Sequence, residues 1–114
     1  MAKKNAYVPY ESSSAPVAFD NVGNGTVQNR LLGSASTAEN IAVTSGSNAV
    51  RMRSNADFWY EFDATAAVPT GDETTGGSIF VPAGVSEYVQ CSSVTNISVV
   101  SATANAIVNA IFWD

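Results

Sequence analysis

The sequence predicts an all-β fold, an antiparallel β-sandwich or jelly-roll-like domain carrying an extended N-terminal arm. Three observations predict it. Seven short runs rich in β-branched and aromatic residues fill residues 39–113, turn residues separate them, and several alternate with period two. Short strands punctuated by turn signals are the pattern of a sandwich or jelly roll. At 114 residues the chain has the size of one domain and can bury roughly two-thirds of its unfolded surface.

Residues 1–38 have a different texture from the remainder and are expected to form the arm. Aromatic residues stand singly (Tyr7, Tyr10, Phe19), polar residues fill the intervals, and no period is sustained. Tyr7, Tyr10 and Phe19 are spaced as anchors along an extended strap that orders by lying on a partner. The alternative is a disordered terminus, against which stand the aromatic and β-branched residues, scarce in disordered chains. Within "VGNGTV" the Asn24–Gly25 pair signals a tight turn between two extended pieces, and "LLGSASTAEN" reads as a loop.

The sandwich is expected over residues 39–114. Its first strands are "ENIAVTS" (39–45), "NAVRMRS" (48–54) and "DFWYEFD" (57–63). Val50 and Met52 alternate with Arg51 and Arg53, the signature of a half-buried strand. Phe58, Tyr60 and Phe62 share one face of the third run; Trp59, Glu61 and Asp63 share the other. Residues 64–78 form a long Gly/Thr-rich loop on the outside. "SIFVPAGVSEYVQC" then reads as a hairpin. Proline cannot donate to a ladder at its corner, and Gly84 accepts a positive φ. Val85, Glu87 and Val89 alternate against Ser86, Tyr88 and Gln90. "NISVVSA" (96–102) and "NAIVNAIFW" (105–113) complete the set. The last run also fits a helical stripe, but β-branched and aromatic residues in its second half and Asn109 at its middle favour a strand.

Composition narrows the function. Charged residues make up 13% of the chain, about half the usual share, and Ser, Thr and Asn hold 33 positions. Such a surface keeps hydrogen-bonding groups without the desolvation cost of charge when neighbours cover it. All five basic residues lie at or before Arg53, and seven acids follow it. A body so acidic repels phosphate, which argues against nucleic-acid binding. The basic N-terminal part would instead suit an acidic surface, unless the charges serve solubility alone. The start shows no secretory signal pattern and no stretch approaches a membrane span, so synthesis in a cytosol is expected.

Chemistry is sparse. The chain has no histidine, which excludes histidine-based acid–base catalysis and histidine-liganded metals. The single cysteine, Cys91, permits no intrachain disulfide and reads as a small apolar strand residue. Asp63, Asp72 and Glu73 lack the spacing of a calcium loop. Glu61 and Glu87 would form a glycosidase-like pair only if they met across neighbouring strands. No cofactor, metal or catalytic residue is expected. Trp59, outward beside acids, would suit a sugar platform. Phe112, Trp113 and Trp59 are otherwise candidates for core or subunit-interface packing.

The stretch "VRMRSNADFWYEF…TTGGSIFVPAGVSEYVQC…NISVVSA", residues 48–102, resembles small β-sandwich virion proteins of tailed bacteriophages. The likeness lies in the "VRMRS" and "DFWYEF" strands, the corner and return at Pro82, Ala83, Gly84, Glu87 and Tyr88, and the closing strand Ile97–Val100. "ATANAIVNAIFWD" stands where that group carries a glycine-bearing closing strand. The resemblance implies a head decoration or cement protein on the capsid exterior, made in the bacterial cytoplasm. Its partners would be the major capsid protein and further copies of itself, a homotrimer being expected, with neither nucleic acid nor membrane. An adhesion module of a tail or fibre that binds a cell-surface glycan, or a neck or connector component, are the alternatives.

Overall fold

The computed structural model describes residues 25–73 and 77–114, and these form two antiparallel four-stranded sheets packed face to face. Eight strands follow in chain order: β1 (Thr26–Leu32), β2 (Glu39–Ala42), β3 (Ala49–Ser54), β4 (Phe58–Phe62), β5 (Ile79–Val81), β6 (Glu87–Gln90), β7 (Asn96–Val100) and β8 (Ala106–Trp113). One sheet, here sheet A, has the order β1-β8-β3-β6; sheet B has the order β2-β7-β4-β5. The pairing is nested: β1 with β8, β2 with β7, β3 with β6, β4 with β5. It is as though one long hairpin, with its tip at the β4–β5 loop, had been rolled so that successive pairs fall alternately in the two sheets. The contacts β3–β8 and β4–β7 then complete each sheet. That is a jelly roll.

The core is the space between the sheets, filled by alternate residues of each strand. Sheet A contributes Leu32, Val50, Met52, Val108, Ala110 and Phe112; sheet B contributes Ile41, Phe58, Tyr60, Val81, Ile97 and Val99. The period-two readings of 50–53 and 58–62 hold: Val50, Met52, Phe58 and Tyr60 are buried, while Arg51, Arg53 and Trp59 are on the outer sides. Residues 106–113 are strand, as their β-branched and aromatic content predicts.

Two expectations need correction. The sandwich does not begin at Glu39, because residues 26–32, assigned above to the arm and a loop, are β1. This strand pairs with β8 along its whole length, from Thr26 opposite Phe112 to Leu32 opposite Ala106. Its polar sequence reflects its place at an edge, where Gln28 reaches over to donate to the Ala42 carbonyl of β2 at 2.7 Å. Nor do β5 and β6 form a hairpin. They belong to different sheets, and Pro82–Ala83–Gly84 carries the chain across the end of the sandwich.

That crossing is tightly held. Val85 N–H donates to the Pro82 carbonyl at 3.2 Å, with Gly84 at φ 78°, the arrangement of a type II turn. Gly84 N–H donates to Ser54 O at the end of β3. Ala83 N–H donates to the Asp57 carboxylate ahead of β4 at 2.8 Å.

Candidate interaction surface

Sheet A presents an outer face built from the alternate residues that the core does not use. In register, Val27 stands opposite Ile111, Asn29 opposite Asn109 and Leu31 opposite Ile107. On the other side of β8, Arg51 stands opposite Ile111 and Arg53 opposite Asn109. Tyr88 of β6 lies opposite Arg51. Val27, Leu31, Ile107 and Tyr88 are each about half exposed, and no acidic residue occurs among these outward positions.

An asparagine ladder crosses the middle of the face. Asn109 Nδ2 donates to Asn29 Oδ1 at 2.7 Å, and Arg51 Nη2 donates to Asn109 Oδ1. The row ties the Arg51 guanidinium to β8, and its Nε is buried without a hydrogen-bond partner among the described residues. Arg51, Arg53, Asn55, Ile107 and Asn109 line a groove of about 370 Å3. The face thus combines apolar side chains with amide and guanidinium groups.

At one end of the face the chain passes into β1 at Gly25. A Cβ there would lie 2.9 Å from Trp113 Nε1 and would also meet Ile111. Glycine is therefore what allows the indole to pack close over the backbone. Trp113 is only 7% exposed, so it is better described as a buried corner of this face than as a free anchor.

The other candidate residues are placed elsewhere. Phe112, a candidate above for core or interface packing, is in the core at 1% exposure, because it stands one position out of phase with Ile111 and Trp113. Trp59 is half-buried on the outer side of sheet B and pairs across the strands with Phe80, ring centroids 5.1 Å apart. Tyr7, Tyr10 and Phe19 lie outside the described residues.

The structure separates Glu61 from Glu87. Glu61 is on β4 of sheet B and Glu87 on β6 of sheet A, so they are not neighbours across paired strands as a glycosidase pair would require. Glu87 points inward and accepts a hydrogen bond from the Tyr60 hydroxyl at 2.9 Å. Burial first, and then this bond and the Glu87 charge, push the Tyr60 phenol far above its ordinary pKa. Asp63, which the sugar-platform reading places beside Trp59, is committed to the fold. Its Oδ1 accepts from the backbone N–H groups of Thr95 and Asn96 at 3.0 and 2.9 Å. Among the described residues no three His, Cys, Asp or Glu side chains gather as a metal site.

Opposite the Pro82 corner, the β2–β3 and β6–β7 loops border an open pocket of about 510 Å3 lined by Ser45, Asn48, Cys91, Ser92 and Thr95, among others. Burial raises the Cys91 thiol pKa, the reverse of what a nucleophile needs, and Cys91 packs with the core. Among the described residues no helix is long and apolar enough to cross a membrane.

The register that builds the outer face of sheet A is invisible in linear order: Val27, Ile111 and Arg51 come from three separated runs. The available signal was the outward half of each alternation, Arg51/Arg53 and Ile107/Asn109/Ile111. No family model, curated protein or solved structure matches the chain.

Proposed function

We propose that this chain is a structural virion protein, not an enzyme, that decorates or cements the exterior of a tailed-phage capsid through subunit contacts and an N-terminal arm. The observation that carries the reading is the outer face of sheet A, where exposed Val27, Leu31, Ile107 and Tyr88 surround an asparagine–arginine ladder. A contiguous exposed apolar patch rimmed by polar groups is a feature of interaction sites. The carboxylates best placed for chemistry are engaged in holding the fold. The sequence resemblance of residues 48–102 supplies the phage assignment. The jelly roll adds an analogy at the level of fold, since capsid and lectin domains both use it.

Capsid-shell contacts are multiplied by symmetry, so a weak contact per copy suffices. The major capsid protein and other copies of this chain are the proposed partners, a homotrimer the proposed assembly. Co-sedimentation of the full chain with capsids lacking it tests the reading. Saturable binding that Leu31→Glu abolishes supports it. Absence of binding by the native chain overturns it in favour of a tail adhesin, which a glycan array would then examine.

A further inference from the structure

We infer that the open pocket opposite the Pro82 corner is a binding site for a neutral mono- or disaccharide. Two loops build it. In the β2–β3 loop Ser47 N–H donates to the Thr44 carbonyl at 3.0 Å, with Gly46 at φ 84°. In the β6–β7 loop Val94 N–H donates to the Cys91 carbonyl at 3.1 Å, with Ser93 at φ 68°. Both are type II arrangements. Two bonds tie the loops to each other: Cys91 N–H donates to the Asn48 carbonyl, and the Ser92 hydroxyl donates to Asn48 Oδ1, each at 2.9 Å. The pocket therefore stands ready-made, and a ligand entering it bears little of the cost of ordering loops.

Three observations point to the ligand. First, the lining is rich in hydroxyls and free of charged side chains. Thr44, Ser45, Ser47, Ser92, Ser93 and Thr95 supply hydroxyls, Asn48 supplies an amide, and no Lys, Arg, Asp or Glu is among the lining residues. A hydroxyl both donates and accepts, which matches a ligand whose own groups do both. Val43 and Val94 add apolar wall for the C–H face of a sugar ring. No cation is there to hold an anionic ligand, and the Asp114 carboxylate beside Gly46 repels one.

Second, polar groups of the lining are left for a partner. Ser47 is 7% exposed, and among the described residues no hydrogen bond engages its hydroxyl, although a polar group so nearly buried ordinarily has one. The Ser92 bond commits Asn48 Oδ1 and leaves Nδ2 without an acceptor among the described residues. Third, Ser93 holds the left-handed conformation at the turn position where glycine or asparagine is the ordinary residue. Backbone strain of that kind gathers at binding sites, and Ser93 lies on the pocket wall. The volume, about 510 Å3, falls within the range of small-molecule sites, ~300–1,000 Å3. The pocket shares no residue with the outer face of sheet A or with Trp59, and the inference does not depend on the virion reading.

Titration of the isotope-labelled full chain with methyl β-galactoside, methyl α-mannoside, N-acetylglucosamine and maltose, followed by amide chemical shifts, tests the inference without capsids. At least one of these sugars is expected to give saturable shifts confined to residues 43–48 and 91–95. A dissociation constant on the order of 1 mM is expected, the strength of a few neutral hydrogen bonds. Glycerol and the anionic N-acetylneuraminic acid should give no saturable shift. Ser47→Ala removes a hydroxyl that no other group engages, so it should melt no lower than the native chain while binding the sugar about tenfold more weakly. Ser45→Trp, at an exposed position, should fill the pocket and abolish binding. Absence of saturable shifts with all four sugars overturns the inference, as does binding that both variants leave unchanged. Equal shifts with glycerol, or binding of N-acetylneuraminic acid alone, overturn it too, because neither is recognition of a neutral sugar.

Discussion

Tyr60 and Glu87 bring one hydroxyl and one carboxylate together between the sheets, and the pair makes stability sensitive to alkali. The Tyr60 side chain is on β4 in sheet B and Glu87 is on β6 in sheet A, so their 2.9 Å hydrogen bond spans the sandwich. Burial, the hydrogen bond and the nearby charge all raise the phenol's pKa in the folded state. A raised folded pKa means that the contribution is whole below the unfolded value, about 10, and is lost as pH rises above it. Cys91 acts in the same direction from a lower starting point, about 8.5, its thiol raised by burial. Stability should therefore fall from about pH 8.5 upward and more steeply above about 10. Tyr60→Phe is expected to cost about 1–3 kcal/mol at neutral pH, because Glu87 loses its partner, and to flatten the decline above pH ~10. Urea unfolding of both proteins at pH 7 and in alkali reads this directly; parallel declines would show that Tyr60 is not the titrating group.

Asp63 makes a second residue-scale case. It adopts φ 55°, a left-handed conformation that Asp and Asn tolerate better than most, and its carboxylate holds the start of β7. Asp63→Asn keeps both the conformation and an accepting oxygen and should be nearly neutral. Asp63→Ala loses both and should lower stability by about 1–2 kcal/mol, measurable as a shift in denaturant midpoint. Equal losses in the two variants would place the effect in charge instead of geometry.

At the scale of the element, alternation told faces but not partners. Val50 and Met52, or Phe58 and Tyr60, could be assigned inward from spacing alone, because the period of a strand's side chains is fixed at two. The Pro82–Ala83–Gly84 corner shows the limit. Its turn chemistry was legible, but a hairpin and a crossing between sheets use the same residues, and only long-range pairing of β5 with β4 and β6 with β3 distinguishes them. Strand β1 was hidden for another reason. An edge strand buries little, and of its seven residues only Leu32 is buried, so hydrophobic pattern hardly marks it. Phe112 was ambiguous because Ile111, Phe112 and Trp113 are all apolar, which erases the alternation that would separate core from face. The corner carries its own test. Gly84 has φ 78° and open space where a Cβ would go, so Gly84→Ala pays only the backbone strain, about 1–2 kcal/mol. Gly84→Asn should lose less, since asparagine accepts the left-handed region. Thermal melts that show Asn no better than Ala would point to a steric cause.

On the scale of the whole molecule, the nested pairing dictates where the chain can be cut. Among the described strands β1 is the first and β8 the last, yet they are partners over seven residue pairs, so the sandwich closes only when both strands are present. A fragment starting at Glu39 retains seven strands but removes β1 from the edge of sheet A. Loss of Leu32 from the core alone costs about 2–5 kcal/mol, estimated from large-to-small core substitutions. The backbone bonds of β8 to β1 are lost with it, against a total stability of about 5–15 kcal/mol for a domain of ordinary stability. A fragment starting at Gly25 leaves every described strand intact. The 39–114 fragment is therefore expected to be unfolded or molten at 25 °C, while the 25–114 fragment melts cooperatively, as followed by circular dichroism and tryptophan emission. Cooperative melting of 39–114 would show that β8 can stand as an edge without its partner. For any attachment experiment the distinction is practical: loss of binding on deleting residues 1–38 would report a broken sheet, whereas loss on deleting residues 1–24 would report the segment itself.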